Sequence, residues 1–217
     1  LTIEDPIEYE LPGVNQSQIN EKAGLTFASG LRAFMRQDPD IIMVGEIRDT
    51  ETAEIAIRAS LTGHLVLSTL HANTAVGAIS RLLDMDVESF LITSSVLGVI
   101  SQRLTRKICE HCKVSYEADI GEKKALGIDV NESVTIYRGK GCERCNNTGY
   151  KGRLGIFEML EITPEIKELI DSSANQREIL KMARKQGMVS LKEDIVKKVL
   201  NGKTTVEEMI RIILMTD

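Results

Sequence analysis

Ile41-Ile42-Met43-Val44-Gly45-Glu46 is where the fold becomes readable. Four apolar residues follow one another without alternation, a glycine stops them, and an acid comes next. The run is too short for a helix and suits a strand buried on both faces of a parallel sheet. Downstream, Asp49 or Thr50 can cap a helix, with Glu51 and Glu54 near its positive end. Ala53, Ala56, Ile57, Ser60 and Leu61 keep helical spacing, and Gly63 is a natural stop. Leu65-Val66-Leu67 then predicts a second buried strand, and Ala75, Ala78, Ile79, Leu82 and Leu83 a further helix. Upstream, Leu25 to Arg36 has helical composition and ends before Pro39. Leu1-Thr2-Ile3 predicts a short strand that stops before Pro6, which lacks a backbone donor. Strands alternating with helices in this order predict an α/β fold with a parallel sheet.

The chain has 217 residues, 42% of them hydrophobic and 27% charged, with a formal net charge of −5. That is enough apolar material for a core, and disorder throughout is excluded. No apolar run approaches the roughly 20 residues of a membrane span; the stretch from Phe90 to Ile100 is broken by Thr93, Ser94, Ser95 and Gly98. The chain opens without Met, on Leu1-Thr2-Ile3-Glu4-Asp5, which is no signal peptide and reads as an internal point of a longer protein. Mild acidity argues against a general nucleic-acid binder.

Three predicted strands end in polar residues. The first ends at Glu4-Asp5, with Glu8 just beyond; the second at Glu46, followed by Arg48 and Asp49; the third at Ser68-Thr69-Leu70-His71. Ligands of open parallel sheets bind at the carboxyl ends of strands. Several carboxylates at one rim would repel an anion unless a cation sat between them, and Mg²⁺ on a nucleotide phosphate meets that need. One carboxylate can hold a metal-bound water while another takes the proton of an attacking water. His64 and His71 bracket the third strand at an odd spacing, which puts them on opposite faces and rules against a shared metal. Arg48, Arg103 and Arg106 have the reach to meet a phosphate but read as surface or ion-pair residues.

Composition shifts near Ile108. The stretch from Cys109 to Gly152 is polar and Gly-rich, and holds Cys109-Glu110-His111-Cys112 and Cys142-Glu143-Arg144-Cys145. Two CxxC pairs in a chain without secretion signals predict a tetrahedral Cys₄ site for structural zinc, with His111 a non-ligand. The second pair is locally basic, through Arg138, Lys140, Arg144, Lys151 and Arg153. A zinc-ribbon nucleic-acid-binding module is therefore the alternative from another class, with Tyr137 and Tyr150 the aromatics beside the basic run. From Pro164 the chain is helical again. Thr204 or Thr205 caps the last helix, Glu207 or Glu208 closes a capping box, and Val206, Met209, Ile210, Ile213 and Leu214 form its apolar face.

These segments together resemble a known family. Thr2-Ile3-Glu4-Asp5-Pro6-Ile7-Glu8 resembles the aspartate box of secretion and pilus motor ATPases. Arg36 through Asp49 resembles their Walker-B-type segment, and Leu61 through His71 is similar to their histidine box, with Ala72 where a threonine is expected. Ala75-Val76-Gly77-Ala78-Ile79, Gly98 through Leu104 and the second Cys segment look most like the type II secretion motor. The type IV pilus assembly ATPase is the close relative and the alternative function. The resemblance implies a partial RecA-like parallel sheet over residues 1–105, a tetracysteine zinc module over 106–155 and a helical C-terminal region over 156–217. It implies a homo-hexamer that uses ATP and Mg²⁺ to power pseudopilus assembly, peripheral on the cytoplasmic side of the inner membrane. Its expected partners are the cytoplasmic domains of inner-membrane secretion components, with no nucleic acid. Glu4 and Glu46 would be the catalytic carboxylates, and Asp5, Glu8, His64 and His71 would bind the nucleotide or its subunit boundary. The family's phosphate cradle, GxxxxGK[ST], is absent here: Gly139-Lys140 and Gly202-Lys203 lack its upstream glycine. In the family it lies before the aspartate box, so this chain alone is expected neither to hydrolyse ATP nor to bind it tightly. Loss of the central strand is expected to expose sheet edge and core and to invite dimerisation or rearrangement.

Overall fold

A computed structural model describes residues 1–214 and gives the chain, in order, β1 (Thr2–Glu4), β2 (Gln16–Gln18), α1 (Phe27–Phe34), β3 (Ile41–Val44), α2 (Thr50–Leu61), β4 (Leu65–Ser68), α3 (Ala75–Asp84), α4 (Ser89–Ser95), β5 (Gly98–Ile108), β6 (Lys113–Glu117), α5 (Ile120–Leu126), β7 (Thr135–Gly139), β8 (Tyr150–Glu161), α6 (Pro164–Asp171), α7 (Gln176–Lys185), α8 (Leu191–Leu200) and α9 (Val206–Ile213). Two compact units divide these elements. The first joins Leu1–Val99 to Glu161–Ala183; the second joins Ile100–Leu160 to the residues from Arg184 onward.

The first unit holds a four-stranded sheet in the order β2-β1-β3-β4. Every pairing in it is parallel, with Ile3 opposite Val44 and Ile42 opposite Val66. Ile3, Leu31, Ile42, Val44, Ile55, Ala56 and Ala59 form its core, so α1 and α2 cover one sheet face. Each fully buried isoleucine there contributes about 1.5–3 kcal/mol. Burial on both faces was the expectation for β3 and β4, and it fails for a geometric reason. Ile42 and Val44 point to the helices, whereas Ile41 is 49% exposed and, on the edge strand β4, Leu65 and Leu67 are 44% and 51% exposed. The helix starts follow the caps: Asp49 Oδ1 accepts from Thr52 N–H at 2.7 Å, and Thr74 Oγ1 from Gly77 N–H at 3.0 Å. Helix α1 is shorter than the Leu25–Arg36 expectation because Thr26 and Ser29 close a capping box at its start.

The second unit contains an antiparallel hairpin of β6 and β7, with Lys113 opposite Gly139 and Glu117 opposite Thr135. Helix α5 fills the connection between them, and β5 and β8 form a separate two-stranded sheet. Ile136, Ile156, Leu191, Ile195, Val199, Val206, Met209 and Ile212 share one core. The two compact units run across the expected segments 1–105, 106–155 and 156–217. The cysteine-bearing stretch has too few apolar residues to close a core alone and takes them from α8 and α9, while α6 lies in the first unit.

Helix α9 is also turned from its expected face. Ile210 is 43% and Leu214 74% exposed, and Glu208 and Ile212 are buried in their place. Thr205 caps it by accepting from Glu208 N–H, but the Glu208 carboxylate does not return to close a box. It accepts from Arg106 Nε at 3.0 Å, Arg211 Nη2 at 2.8 Å and Thr105 Oγ1 at 3.1 Å.

Candidate functional site

The tips of β1, β3 and β4 are tied together by short contacts. Gly45 N–H donates to Ile3 O at 2.7 Å. A side chain at Gly45 would put its Cβ 3.2 Å from Ile3 O and 3.3 Å from Glu4 Cα, so glycine permits this approach of two backbones. On the other side, Thr69 Oγ1 donates to Gly45 O at 2.6 Å and Ile47 N–H to Thr69 O at 3.0 Å. The residues that follow each strand are thereby carried to one rim, as the parallel register requires.

Glu46 is the innermost acid of that rim, its side chain 15% exposed against 91% for His71 and 58% for Arg48. Its Oε1 accepts from Arg48. Its buried Oε2 faces His71 Nε2 at 3.3 Å. Arg48 also lies 3.8 Å from Asp5 Oδ2. The Arg48 hydrogen bond, joined by its charge and by His71, holds the Glu46 carboxyl below the usual carboxylate range although burial opposes this.

The other sequence-named residues lie as follows. Glu4 Oε1 accepts from Thr2 Oγ1 at 2.6 Å and Gln16 Nε2 at 2.9 Å, so its side chain is engaged along β1 toward β2. Asp5 is exposed at the rim beside Arg48, and Glu8 is exposed on the segment between β1 and β2. His64 precedes the other end of β4, with Nδ1 2.9 Å from Ala59 O and 3.2 Å from Thr62 Oγ1. The structure therefore gathers Glu46, His71 and Asp5, keeps Glu4 adjacent through its backbone, and places His64 at the opposite end of β4. Sequence reasoning set Arg48 aside. The signal for it was its position two residues after the strand-ending acid.

The second unit holds the other cluster. The sulfurs of Cys109, Cys112, Cys142 and Cys145 all lie within 4.8 Å of one another, and the four are free thiols. Cys109–Cys142, Cys112–Cys145 and Cys142–Cys145 are 4.0, 3.8 and 3.7 Å apart. A tetrahedron of thiolates at about 2.3 Å from zinc has edges of about 3.8 Å, so the donor set fits that ion. Burial pushes the Cys112 thiol up to about 11. At Cys145 burial also opposes ionisation, but the backbone N–H groups of Cys142 and Gly149 and the neighbouring thiols outweigh it and bring it down to about 6. His111 faces Arg144 Nη1 at 2.8 Å from Nε2 and stands outside the cysteine cluster. Gly139 and Gly149 lie against each other behind the cluster, where a Cβ on Gly139 would be 2.1 Å from Gly149 O.

The type II/IV secretion system protein family matches residues 1–211. The chain is 55% identical over 211 residues to the type IV pilus assembly ATPase PilB of Thermus thermophilus, covering 96% of this chain and 24% of that protein. It is 53% identical over 212 residues to the type II secretion system protein E of Pseudomonas aeruginosa, covering 98% of this chain and 42% of that one. The chain thus spans less than half the length of these relatives. Among solved structures it is similar to the pilus retraction motor PilT with bound ADP, at a TM-score of 0.68 and 29% identity over 97% of this chain and 51% of that one.

Proposed function

Because the chain belongs to the type II/IV secretion system protein family, we propose that it is part of a motor ATPase that hydrolyses ATP to power type II protein secretion. The observation that carries the reading is the convergence of Asp5, Glu46 and His71 at the shared tip of β1, β3 and β4, with the Glu46 carboxylate nearly covered between Arg48 and His71. ATP and Mg²⁺, when bound, supply the phosphoanhydride and the cation that offsets the acids of this rim. Glu46 Oε2 is then the group that accepts the proton of the attacking water, oriented by the hold of Arg48 on Oε1. Glu4, fixed by Thr2 and Gln16, is the second catalytic carboxylate. His71 and Asp5 border the nucleotide, Glu8 meets it from the exposed segment, and His64 belongs to a subunit boundary.

The Cys₄ cluster holds structural zinc, with all four positions taken by thiolates and none open for chemistry. The whole protein works as a homo-hexamer on the cytoplasmic face of the inner membrane, docked to cytoplasmic domains of membrane secretion components. No helix among the described residues is long and apolar enough to cross a membrane. A nucleic-acid-binding reading needs open aromatic faces beside the basic run. Tyr137 and Tyr150 each already carry a cation on one face, Lys113 and Arg106 respectively. Pilus assembly stays as the second reading, supported by the 55% identity to the Thermus thermophilus ATPase.

Mg²⁺-dependent ATP turnover by the longer protein that carries this chain tests the proposal. Glu46→Gln should lower kcat at least about a hundredfold, the scale of general-base loss, and Glu4→Gln should lower it as well. Turnover at the parent rate in both variants overturns it. Deleting the gene should abolish secretion of exoproteins and leave pili intact; the reverse outcome selects pilus assembly.

A further inference from the structure

Strands β1 and β2 are parallel neighbours, with Thr2 opposite Gln16 and Glu4 opposite Gln18. Such a pair needs a long crossover, commonly a helix; here residues 5–15 make it without an α-helix. Ile3 belongs to the core under α1 and α2, so alternation puts Thr2 and Glu4 on the other sheet face, with Gln16 and Gln18 beside them. The two glutamines hold the crossover by its backbone. Gln18 Oε1 accepts from Ile7 N–H at 3.2 Å, and Gln16 Oε1 from Leu11 N–H at 2.6 Å. Gln16 Nε2 donates to Tyr9 O at 3.0 Å and to Glu4 Oε1 at 2.9 Å. One side-chain amide thus joins two backbone groups of the loop to the Glu4 carboxylate. The loop also fixes which way that amide faces. Turned over, it would set N–H against the Leu11 N–H, and its oxygen against the Tyr9 carbonyl and the carboxylate. Tyr9 is 80% and Leu11 50% exposed, so backbone rather than side chains makes the connection.

We propose that the backbone of residues 7–11 sets the placement of the Glu4 carboxylate through the Gln16 amide. Gln16 is then a positioning residue, and the exposed loop belongs to the machinery although Tyr9 and Leu11 carry no reacting group. Thr2 Oγ1 holds the same carboxylate oxygen at 2.6 Å, but Thr2 is anchored within β1. Gln16 is therefore the path by which movement of the loop reaches Glu4. Misplacing a catalytic group by about 1 Å costs about a hundredfold in rate. The proposal rests on the reading of Glu4 as the second catalytic carboxylate, and the following measurements separate the two.

Steady-state hydrolysis of MgATP by the longer protein is measured for each variant, with a thermal melt beside it. Gln16→Leu, similar in size but without donor or acceptor, should lower kcat at least about tenfold, the scale of one hydrogen bond to a charged group, and leave KM within about twofold. In the Glu4→Gln background the same substitution should leave the residual rate within about twofold, because its effect runs through Glu4. Leucic acid in place of Leu11 exchanges the 10–11 amide for an ester and removes only the N–H. It should lower kcat about threefold or more in the parent and not at all beside Gln16→Leu. Tyr9→Ala and Leu11→Ala, which keep the backbone groups, should stay within about twofold of the parent. A parent kcat in Gln16→Leu or in the ester, a Gln16→Leu loss undiminished beside Glu4→Gln, or side-chain losses as large as that of the ester overturns the proposal. If Gln16→Leu does not fold, the ester alone decides. Parent-rate hydrolysis by Glu4→Gln overturns the reading of Glu4 instead, whatever the loop variants do.

Discussion

Glu208 keeps a full charge with no exposed side-chain surface because Arg106, Arg211, Thr105 and the Arg106 backbone N–H all donate to it. Burial pulls its carboxyl upward, but those donors prevail and bring it down to about 2. A depressed carboxylate stabilises the fold above its unfolded value near 4.3, and this contribution is lost as pH falls toward about 2. Glu208→Gln should therefore cost about 2 kcal/mol at pH 7, the worth of hydrogen bonds to a charged acceptor. Below pH 4 the melting temperature of the variant should fall less steeply with pH than that of the parent. Thermal melts followed by circular dichroism between pH 2 and 7 check both, and parallel pH profiles would refute the assignment. The same residue explains the turn of α9. Periodicity alone selects an apolar stripe through Ile210 and Leu214, and only the ion pair to β5, remote in sequence, explains why position 208 faces inward.

At the scale of elements, close backbone approach decides what a substitution does. The Gly139–Gly149 contact brings the end of β7 against the start of β8, and Gly149 O accepts the Cys109 N–H at 2.9 Å. Gly139→Ala would press on backbone rather than on a flexible side chain. It should cost about 1–3 kcal/mol and weaken metal binding by displacing Cys109, read by melting temperature and by competition with a zinc chelator. Unchanged values in both would mean that the hairpin end shifts freely. Elements with local signals were legible in the sequence: β3 from its apolar run, α2 from Asp49 and Gly63, α3 from its stripe, and the cysteine cluster from its two CxxC pairs. Strand β2 had no signal, since Gln16-Ser17-Gln18 is polar and is a strand through its pairing with β1. Strands β5 and β8 did alternate, with Thr105, Ile156, Glu158 and Leu160 buried, but polar Thr105 and Glu158 on the buried face and apolar Leu104, Phe157 and Met159 on the exposed one masked the period. At the rim, strand ends marked Glu46 and His71. The hold of Arg48 on Glu46 depends on a side-chain direction that no spacing encodes.

At the scale of the whole molecule, each unit has its own core and its own cluster: carboxylates at parallel strand tips in the first, thiols in the second. Because the thiol cluster adjoins a core completed by α8 and α9, zinc binding should be coupled to folding of that unit. Native mass spectrometry should find one zinc per chain, and Cys109→Ser with Cys142→Ser should abolish it and lower the melting temperature. A zinc-free parent of equal stability would remove the metal from the account. The central claim concerns the other unit, where acids far apart in sequence serve one magnesium-phosphate group. The most direct measurement replaces Mg²⁺ with Mn²⁺ in the longer protein, bound to the imidotriphosphate analogue, with glutamate carboxylates labelled with ¹³C. Electron–nuclear double resonance should detect a carboxylate carbon near the Mn²⁺ that disappears on replacing Glu46 or Glu4 by glutamine. A bound Mn²⁺-nucleotide whose spectrum is untouched by either replacement would contradict the account.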